Sequence, residues 1–244
     1  AVIRAGGAQA VAALAYGTAT VPKADKIFGP GNSWVAEAKR QVAEDPDGAA
    51  LDLPAGPSEV FVIADDSANP AFVASDLLAQ AEHGEDSQVI LATPSQALLD
   101  AVVAEVARQL STLPRAKIAH GALAHSLAIW TRDLAEALAI SERYAPEHLI
   151  LQTGEDEALA ARVRRAGAVF LGPWAPEAVG DYASGTNHVL PTGGAARAFG
   201  GLGLESFLRP VSFQRLTRAG LGAIASDVEI LATVESLDAH RRSV

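Results

Sequence analysis

Short apolar runs alternate with longer amphipathic stretches over most of the chain. EVFVI at 59–63 and QVILA at 88–92 are typical of buried strands, and residues 68–83 between them carry apolar side chains at helical spacing. The alternation continues, through a helix predicted over 156–166, to about residue 171. Strands that alternate with helices in this way indicate βαβ units around a parallel sheet. The predicted fold class is therefore α/β, with Rossmann-like units.

The pattern changes after Gly172. Residues 173–194 are rich in Gly, Pro and Asn and contain few apolar runs. A loop of that length inside a folded domain is usually functional, so we expect part of a site there. The tail at 210–244 predicts two helices with no strand between them. The chain is therefore expected to close with a helical C-terminal extension.

Composition excludes several classes of protein. The 244 residues are 49% hydrophobic and 20% charged, which are ordinary values for a globular chain rather than a disordered or fibrous one. A net charge of −10 without a basic patch disfavours binding to nucleic acid. No apolar stretch reaches the ~18 residues of a membrane span, and the N-terminal residues do not resemble a signal peptide. We expect a cytoplasmic protein.

A metal site in this chain must use nitrogen and oxygen ligands, because the sequence contains no cysteine. Gln80 and His83 are three residues apart on a predicted helix, so their side chains can converge. Asp181 lies in the Gly-rich loop and His240 near the C-terminus. Two imidazoles, a carboxylate and an amide oxygen form a set that suits zinc. Structural or surface roles stay open for these residues, since spacing alone cannot make the four meet.

The strongest acid–base candidates are Glu147 and His148, which open a predicted strand directly after Pro146. An ionisable pair at such a boundary can face a cleft. Histidine titrates near neutral pH and can accept a proton from an alcohol. The alternative is a surface glutamate beside a half-buried histidine. His120 and His125 lie on an ordinary helical stretch, and we interpret both as structural.

Glycine turns at two helix starts could contact phosphate. A short strand and glycine turn are predicted at 26–31, before a helix at 32–42, and GGAQ at 6–9 opens another helix. Neither matches GxGxxG, so each alone is a weak sign of a nucleotide. Ser58, in a tight loop before a strand, could contact a ligand, but the chain has no GxSxG elbow and a serine hydrolase is disfavoured.

Together these segments resemble the histidinol dehydrogenase family. Members of that family are much longer, so the resemblance implies a C-terminal portion with an incomplete nucleotide domain. It divides the chain into the remainder of an NAD-binding domain at 1–57, a Rossmann-like catalytic and zinc domain at 58–200, and a helical C-terminal extension with dimer contacts at 201–244. The matching stretches, in chain order, are GGAQAVAALAYGT, ADKIFGPGN, DLPAGPSEV, DLLAQAEHG, YAPEHLI, GDYASGTNHVLPT and ESLDAH.

The resemblance implies oxidation of L-histidinol to L-histidine through L-histidinal, the last steps of histidine biosynthesis, with zinc and NAD. His148 would take the alcohol proton, and Glu147 would activate the water that attacks the aldehyde. One zinc ion per subunit would be completed by imidazole and amine nitrogens of histidinol. His240 would be supplied to the partner's site in a homodimer. The residues that match the family's zinc ligands are Gln80, His83, Asp181 and His240.

Further positions match contacts in the same family. Gln9 and Asn32 match nucleotide-contacting residues, which strengthens the two glycine turns. Ser58, His188 and Glu235 match substrate contacts, alongside His148 and the zinc ligands.

Three other functions stay open at this point. A related zinc- and NAD-dependent dehydrogenase could act on another small alcohol, although the carboxylate of Glu235 would repel a sulfonated one. A metal hydrolase is disfavoured, because no HExxH motif is present. The chain could also be an inactive fragment. We expect little or no dehydrogenase activity from it alone, because the remainder of the nucleotide domain at 1–57 is too small to enclose a dinucleotide. Apolar faces at 9–15 and 34–42 would also lack packing partners.

Overall fold

A small layer of two helices and two short strands opens the chain. The computed structural model describes residues 2–54 and 56–244. Only two residues of the predicted segment at 26–31 form a strand, and its partner strand is too short for any pattern to predict. The elements of this layer are α1 (Gly7–Tyr16), β1 (Lys26–Ile27), α2 (Ser33–Glu44) and β2 (Ala50–Leu51), with β1 parallel to β2.

The apolar faces of α1 and α2 share one buried cluster. The expectation that the faces at 9–15 and 34–42 lack packing partners is therefore wrong, because the two helices pack against each other and against Ile27 and Ala49. The buried members of the cluster are Val11, Ala15, Ile27, Val42 and Ala49.

The main sheet confirms the predicted alternation of strands and helices. Its elements follow as β3 (Glu59–Ala64), α3 (Pro70–Ala81), β4 (Gln88–Thr93), α4 (Gln96–Leu110), α5 (Ala116–Leu123), β5 (Leu127–Trp130), α6 (Leu134–Tyr144), β6 (His148–Gln152), α7 (Asp156–Ala160) and β7 (Ala168–Leu171). The strand order is β5-β4-β3-β6-β7, and every pair is parallel. The α/β class with Rossmann-like units is therefore confirmed.

The central strand β3 is buried along its whole length. Alternate residues of β3 point to opposite faces, so Val60 and Val62 join one core cluster and Phe61 and Ile63 the other. The first cluster packs under α3, α4 and α5, and the second under α6 and α7. Burial on both faces explains why EVFVI is continuously apolar rather than alternating.

Two segments differ from the sequence prediction near the end of the sheet. The helix predicted at 156–166 stops at Ala160. The backbone N–H groups of Arg164 and Arg165, further along the predicted helix, donate to the Glu142 carboxylate instead of to helical carbonyls. The predicted loop at 173–194 contains a short helix, α8 (Glu177–Tyr182).

The chain divides into two units, Ala1–Ser206 and Phe207–Val244. The second unit contains α9 (Arg218–Val234) and α10 (Asp238–Arg241), so the two helices predicted at 210–244 are confirmed. The division predicted at 1–57, 58–200 and 201–244 stays a prediction. Among the described residues, none of the helices combines the length and apolar character needed to cross a membrane.

Candidate active site and metal centre

The candidate residues of the first unit converge at the amino end of the main sheet. Glu147 and His148 stand at the start of β6, and β3 begins beside them at Glu59. Because α3 runs back antiparallel to the strands, its last turn carries Gln80 to the same end. Open α/β sheets usually bind their ligands at the carboxyl ends of the strands. The site of this chain lies at the opposite, amino, ends.

Three side chains form a group that could hold a metal ion. His83, Glu177 and Asp181 each offer one ligand atom, and these atoms lie within 4.8 Å of one another. Glu177 and Asp181 are four residues apart on α8, so one helix face presents both. The prediction of Asp181 in a loop is thus wrong. His83 lies in the turn after α3, where its N–H donates to the Gln80 carbonyl over 3.2 Å.

The fourth polar group at this point is the Gln80 amide, which is fully buried. With its nitrogen facing Glu177, the amide donates to Oε2 over 2.9 Å and also to Oε1. In the opposite orientation its oxygen would face only acceptors. Gln80 is therefore in direct contact with the carboxylate of the metal group, and its role as a ligand stays a prediction.

Several carboxyl groups crowd this buried place. Burial raises the pKa of Glu177 to about 9, and Asp181, Glu147 and Asp76 add to the shift. Burial also raises the pKa of Asp76 to about 7, against hydrogen bonds from the Gln152 side chain and the Glu177 backbone. Carboxylates held this close disfavour one another's charge, and a divalent cation would relieve the repulsion. Imidazole, carboxylate and amide donors suit zinc.

His148 is held in one tautomer by the backbone. Its Nδ1 lies 3.0 Å from the Glu59 carbonyl oxygen, which can only accept, so Nδ1 carries the hydrogen. In the neutral ring Nε2 then has a free lone pair. Burial lowers the pKa of His148, which keeps the ring neutral near pH 7. The residue can therefore act as a general base through Nε2.

Glu147 is fixed by the same residue. The Glu59 backbone N–H donates to Glu147 Oε2 over 2.9 Å, and His148 Nδ1 lies 3.6 Å from that oxygen. Burial raises the pKa of Glu147 to about 8, and Glu59 and Asp181 contribute by repulsion. The side chain of Glu59 accepts the Gly193 N–H over 2.9 Å, which ties the loop after α8 to the pair.

A cleft of about 750 Å³ opens beside the metal group. Asn32, Ser58 and His83 all line it, so it connects the glycine turn at the start of α2 to the site. Asn32 also caps α2, accepting the Val35 N–H over 3.2 Å. Gln9 is exposed on α1 and is not among the described residues that line the cleft.

A buried ion pair contacts the glycine turn before α2 and fixes it. Lys39 pairs with Asp52 and also donates to the Gly29 carbonyl over 3.0 Å. Asp52 in turn accepts the Gly29 N–H over 2.8 Å. Gly29 has φ of 133°, a conformation that favours glycine. These contacts leave the backbone beyond Gly29 free to face the cleft.

Three predicted substrate or metal contacts lie elsewhere. His188 is exposed in the loop after α8, close enough for its charge to lower the pKa of His148. Glu235, the C-cap of α9, and His240, on α10, are exposed in the second unit. Their roles as substrate contact and zinc ligand stay predictions.

Sequence reasoning missed Glu177, Glu59 and Asp76. Each is a buried residue with a carboxyl side chain. Glu177 contacts Gln80, Glu59 contacts Glu147, and Asp76 contacts Glu177. The spacing of Glu177 four residues before Asp181 was a usable signal, but only if residues 177–182 had been predicted as a helix. Asp76 likewise stands four residues before Gln80. Glu59 acts mainly through its backbone, which no side-chain pattern reveals.

Comparison with known proteins identifies the family. The family model described as histidinol dehydrogenase matches residues 1–244. The chain belongs to the histidinol dehydrogenase family. It is 58% identical over 243 residues to the histidinol dehydrogenase of Pectobacterium atrosepticum, covering 100% of this chain and 55% of that protein. The histidinol dehydrogenase of Escherichia coli is 57% identical, with 100% and 56% covered.

A solved structure agrees with this assignment. The crystal structure of histidinol dehydrogenase from Elizabethkingia anophelis matches with a TM-score of 0.91 and 50% identity, over 98% of this chain and 55% of that one. The chain thus spans just over half the length of these histidinol dehydrogenases.

Proposed function

We propose that this chain carries the metal site and the acid–base pair of an enzyme that oxidises L-histidinol to L-histidine through L-histidinal. One observation supports the proposal. The candidate ligands Gln80, His83 and Asp181 lie at the same end of the sheet as Glu147 and His148. Membership of the histidinol dehydrogenase family gives the substrate class.

Zinc would be held by Gln80, His83 and Asp181, with His240 of a second copy as the remaining protein ligand. When bound, zinc supplies a positive centre that holds the imidazole and amine nitrogens of histidinol and so orients the alcohol. The crowding of buried carboxyl groups around Glu177 supports a cation at this place. Ser58, His188 and Glu235 would contact the rest of the substrate.

In the first oxidation His148 acts as the base. Nε2 accepts the proton of the substrate hydroxyl while hydride leaves the carbon that bears this hydroxyl, so that histidinal forms. NAD supplies the hydride acceptor, and Gln9 and Asn32 are its proposed contacts, Asn32 at the edge of the cleft. The Glu59 carbonyl keeps Nδ1 protonated, and Nε2 is thereby aimed as the acceptor.

In the second oxidation Glu147 acts on water. Its ionised carboxylate takes a proton from the water that attacks the aldehyde carbon. The resulting hydrate anion would then lose a second hydride, to a second NAD, to give the acid. The Glu59 N–H holds Glu147 Oε2 at 2.9 Å, which leaves the other carboxylate oxygen for water.

The second unit supplies support for a homodimer. Ile230, Leu231 and Val234 on α9 are 62%, 64% and 78% exposed. Apolar side chains gathered on one helix end commonly mark a contact with another protein. A second copy would cover them, and α10 would then carry His240 to the partner's site.

The test is a combined metal and turnover measurement on the protein that contains this chain. We expect one zinc per subunit and two NAD reduced per histidinol consumed. His83→Asn should lose both zinc and turnover, since a site of this kind needs its complete ligand set. His120→Asn, at an exposed position on α5, is the matched control and should keep both. Full zinc occupancy and turnover in His83→Asn would contradict the proposal.

A further inference from the structure

An amide side chain near a metal can present either of two ends. Only the oxygen of Gln80 can bind a cation, because the amide nitrogen has no available lone pair. Rotation of the side-chain amide by half a turn would exchange the two ends. A second group that binds the amide nitrogen would fix the orientation in which the oxygen faces the metal.

Glu177 is placed to be that group. With the amide nitrogen assigned to the Glu177 side and the carboxyl group ionised, as a bound cation would keep it, the carboxylate accepts from that nitrogen, over 2.9 Å at Oε2. Gln80 is 0% and Glu177 1% exposed, so water does not compete for this contact. With its nitrogen committed to Glu177, the amide has its oxygen left for another partner.

The backbone of Glu177 is also held in place. Its backbone N–H donates to Asp76, one helical turn before Gln80 on α3. Asp76 is fixed in turn by the Gln152 side chain, which donates to Oδ2 over 2.9 Å. The first turn of α8 is thus fastened to the helix that carries Gln80.

We propose that Glu177 is a positioning residue that turns the amide oxygen of Gln80 toward the metal. The inference rests on the proposed function, since it needs a metal ion at His83 and Asp181. Direct ligation by Glu177 is the competing role, because its carboxylate also lies in the metal group. The contact between its carboxylate and the Gln80 amide favours positioning.

A double-mutant cycle separates the two roles. Zinc affinity would be measured by competition with a chromophoric chelator for the natural sequence, Glu177→Leu, Gln80→Leu and the double variant. If Glu177 acts through Gln80, each single variant should lose about 10–100-fold in affinity. The double variant should then lie within about twofold of Gln80→Leu, the usual precision of such a cycle. Glu157→Leu, an exposed carboxylate on α7, is the control and should bind zinc normally.

A conservative variant and a spectrum add independent readouts. Glu177→Gln keeps an acceptor oxygen for the Gln80 amide and should recover most of the affinity lost in Glu177→Leu, which also covers the case in which the leucine variant does not fold. The cobalt-substituted forms of Glu177→Leu and Gln80→Leu should show the same altered visible absorption, because both lose the amide oxygen.

The outcomes are distinct. Losses that add in the double variant, or different cobalt spectra for the two single variants, would overturn positioning and assign Glu177 as a ligand. Unchanged zinc affinity in Glu177→Leu would overturn any metal role. A natural sequence that takes up no zinc would overturn this inference together with the proposed function.

Discussion

At the scale of single residues, Glu59 organises the acid–base pair through its backbone. Its N–H donates to Glu147 and its carbonyl accepts from His148, while its side chain reaches Gly193. These contacts come from a strand residue, whose position is set by the β3–β6 register rather than by a flexible side chain. The pair is therefore pre-organised before a substrate arrives, which is where much of the catalytic advantage of such groups lies.

The two proposed oxidation steps make different demands on Glu147. Only the aldehyde step needs water, so Glu147→Gln should slow it by about 10²–10⁴-fold and slow alcohol oxidation much less. Because the pKa of Glu147 is raised to about 8, the aldehyde step of the natural protein should quicken as pH rises through that value. Glu147→Gln should lose this rise. Single-turnover assays started from histidinol or from histidinal, at pH 6.5 to 9.5, measure both effects.

His148→Asn provides the comparison for that experiment. In this variant the alcohol step should slow more than the aldehyde step, since the proposed base for the hydroxyl proton is gone. Its zinc content should stay unchanged. Equal losses in the two half-reactions of Glu147→Gln would mean that Glu147 does not act through water.

At the scale of elements, the position of α8 depends on a glycine. A Cβ on Gly180 would come within 2.6 Å of the Phe170 ring on β7. The absence of a side chain lets α8 lie close to the sheet, and α8 carries both Glu177 and Asp181. Phe170 also lies against His148, with ring centroids 5.9 Å apart, so the same contact supports the proposed acid–base pair.

Gly180→Ala should therefore weaken the metal site. The added methyl group would clash with the Phe170 ring, so the ring or α8 must move, and overpacking of this kind costs about 1–3 kcal/mol of stability. We expect reduced zinc affinity and a lower midpoint in urea unfolding. Gly222→Ala is the matched control: no atom of the described residues lies within 4 Å of its added Cβ on α9, and alanine favours the helix. Normal zinc binding by Gly180→Ala would show that α8 tolerates the shift.

The sequence predicts long elements and misses short ones for a physical reason. β3 and α3 bury many side chains, so each leaves a pattern of several apolar positions. α8 spans six residues around a glycine and buries only Glu177 and Gly180, so no periodicity marks it. Glu147 and His148 were predictable because they open a strand, whereas Glu177 depends on recognising that helix.

At the scale of the whole molecule, the buried carboxyl groups connect the metal site to stability. An unfolded carboxyl group ionises near pH 4, but burial raises the pKa of Glu147 to about 8 and that of Glu177 to about 9 in the folded chain. Between pH 7 and 9 the folded state therefore binds more protons than the unfolded state. The free energy of unfolding must then decrease as pH rises through this range.

Urea unfolding of the chain in the presence of a chelator, at pH 7, 8 and 9, measures that decrease. Glu177→Gln replaces one of the two groups by an amide that does not titrate, so its stability should fall less steeply with pH. Zinc should reverse the trend, because binding needs deprotonated ligands and becomes tighter as pH rises, and a ligand that binds only the folded state stabilises it. The range from pH 7 to 9 lies above the titration of His148, whose lowered pKa affects stability only at more acidic pH. A metal-free chain whose stability is flat or rises over this range would show that the carboxyl groups around Glu177 ionise normally, and the electrostatic reason for a cation at this site would then be lost.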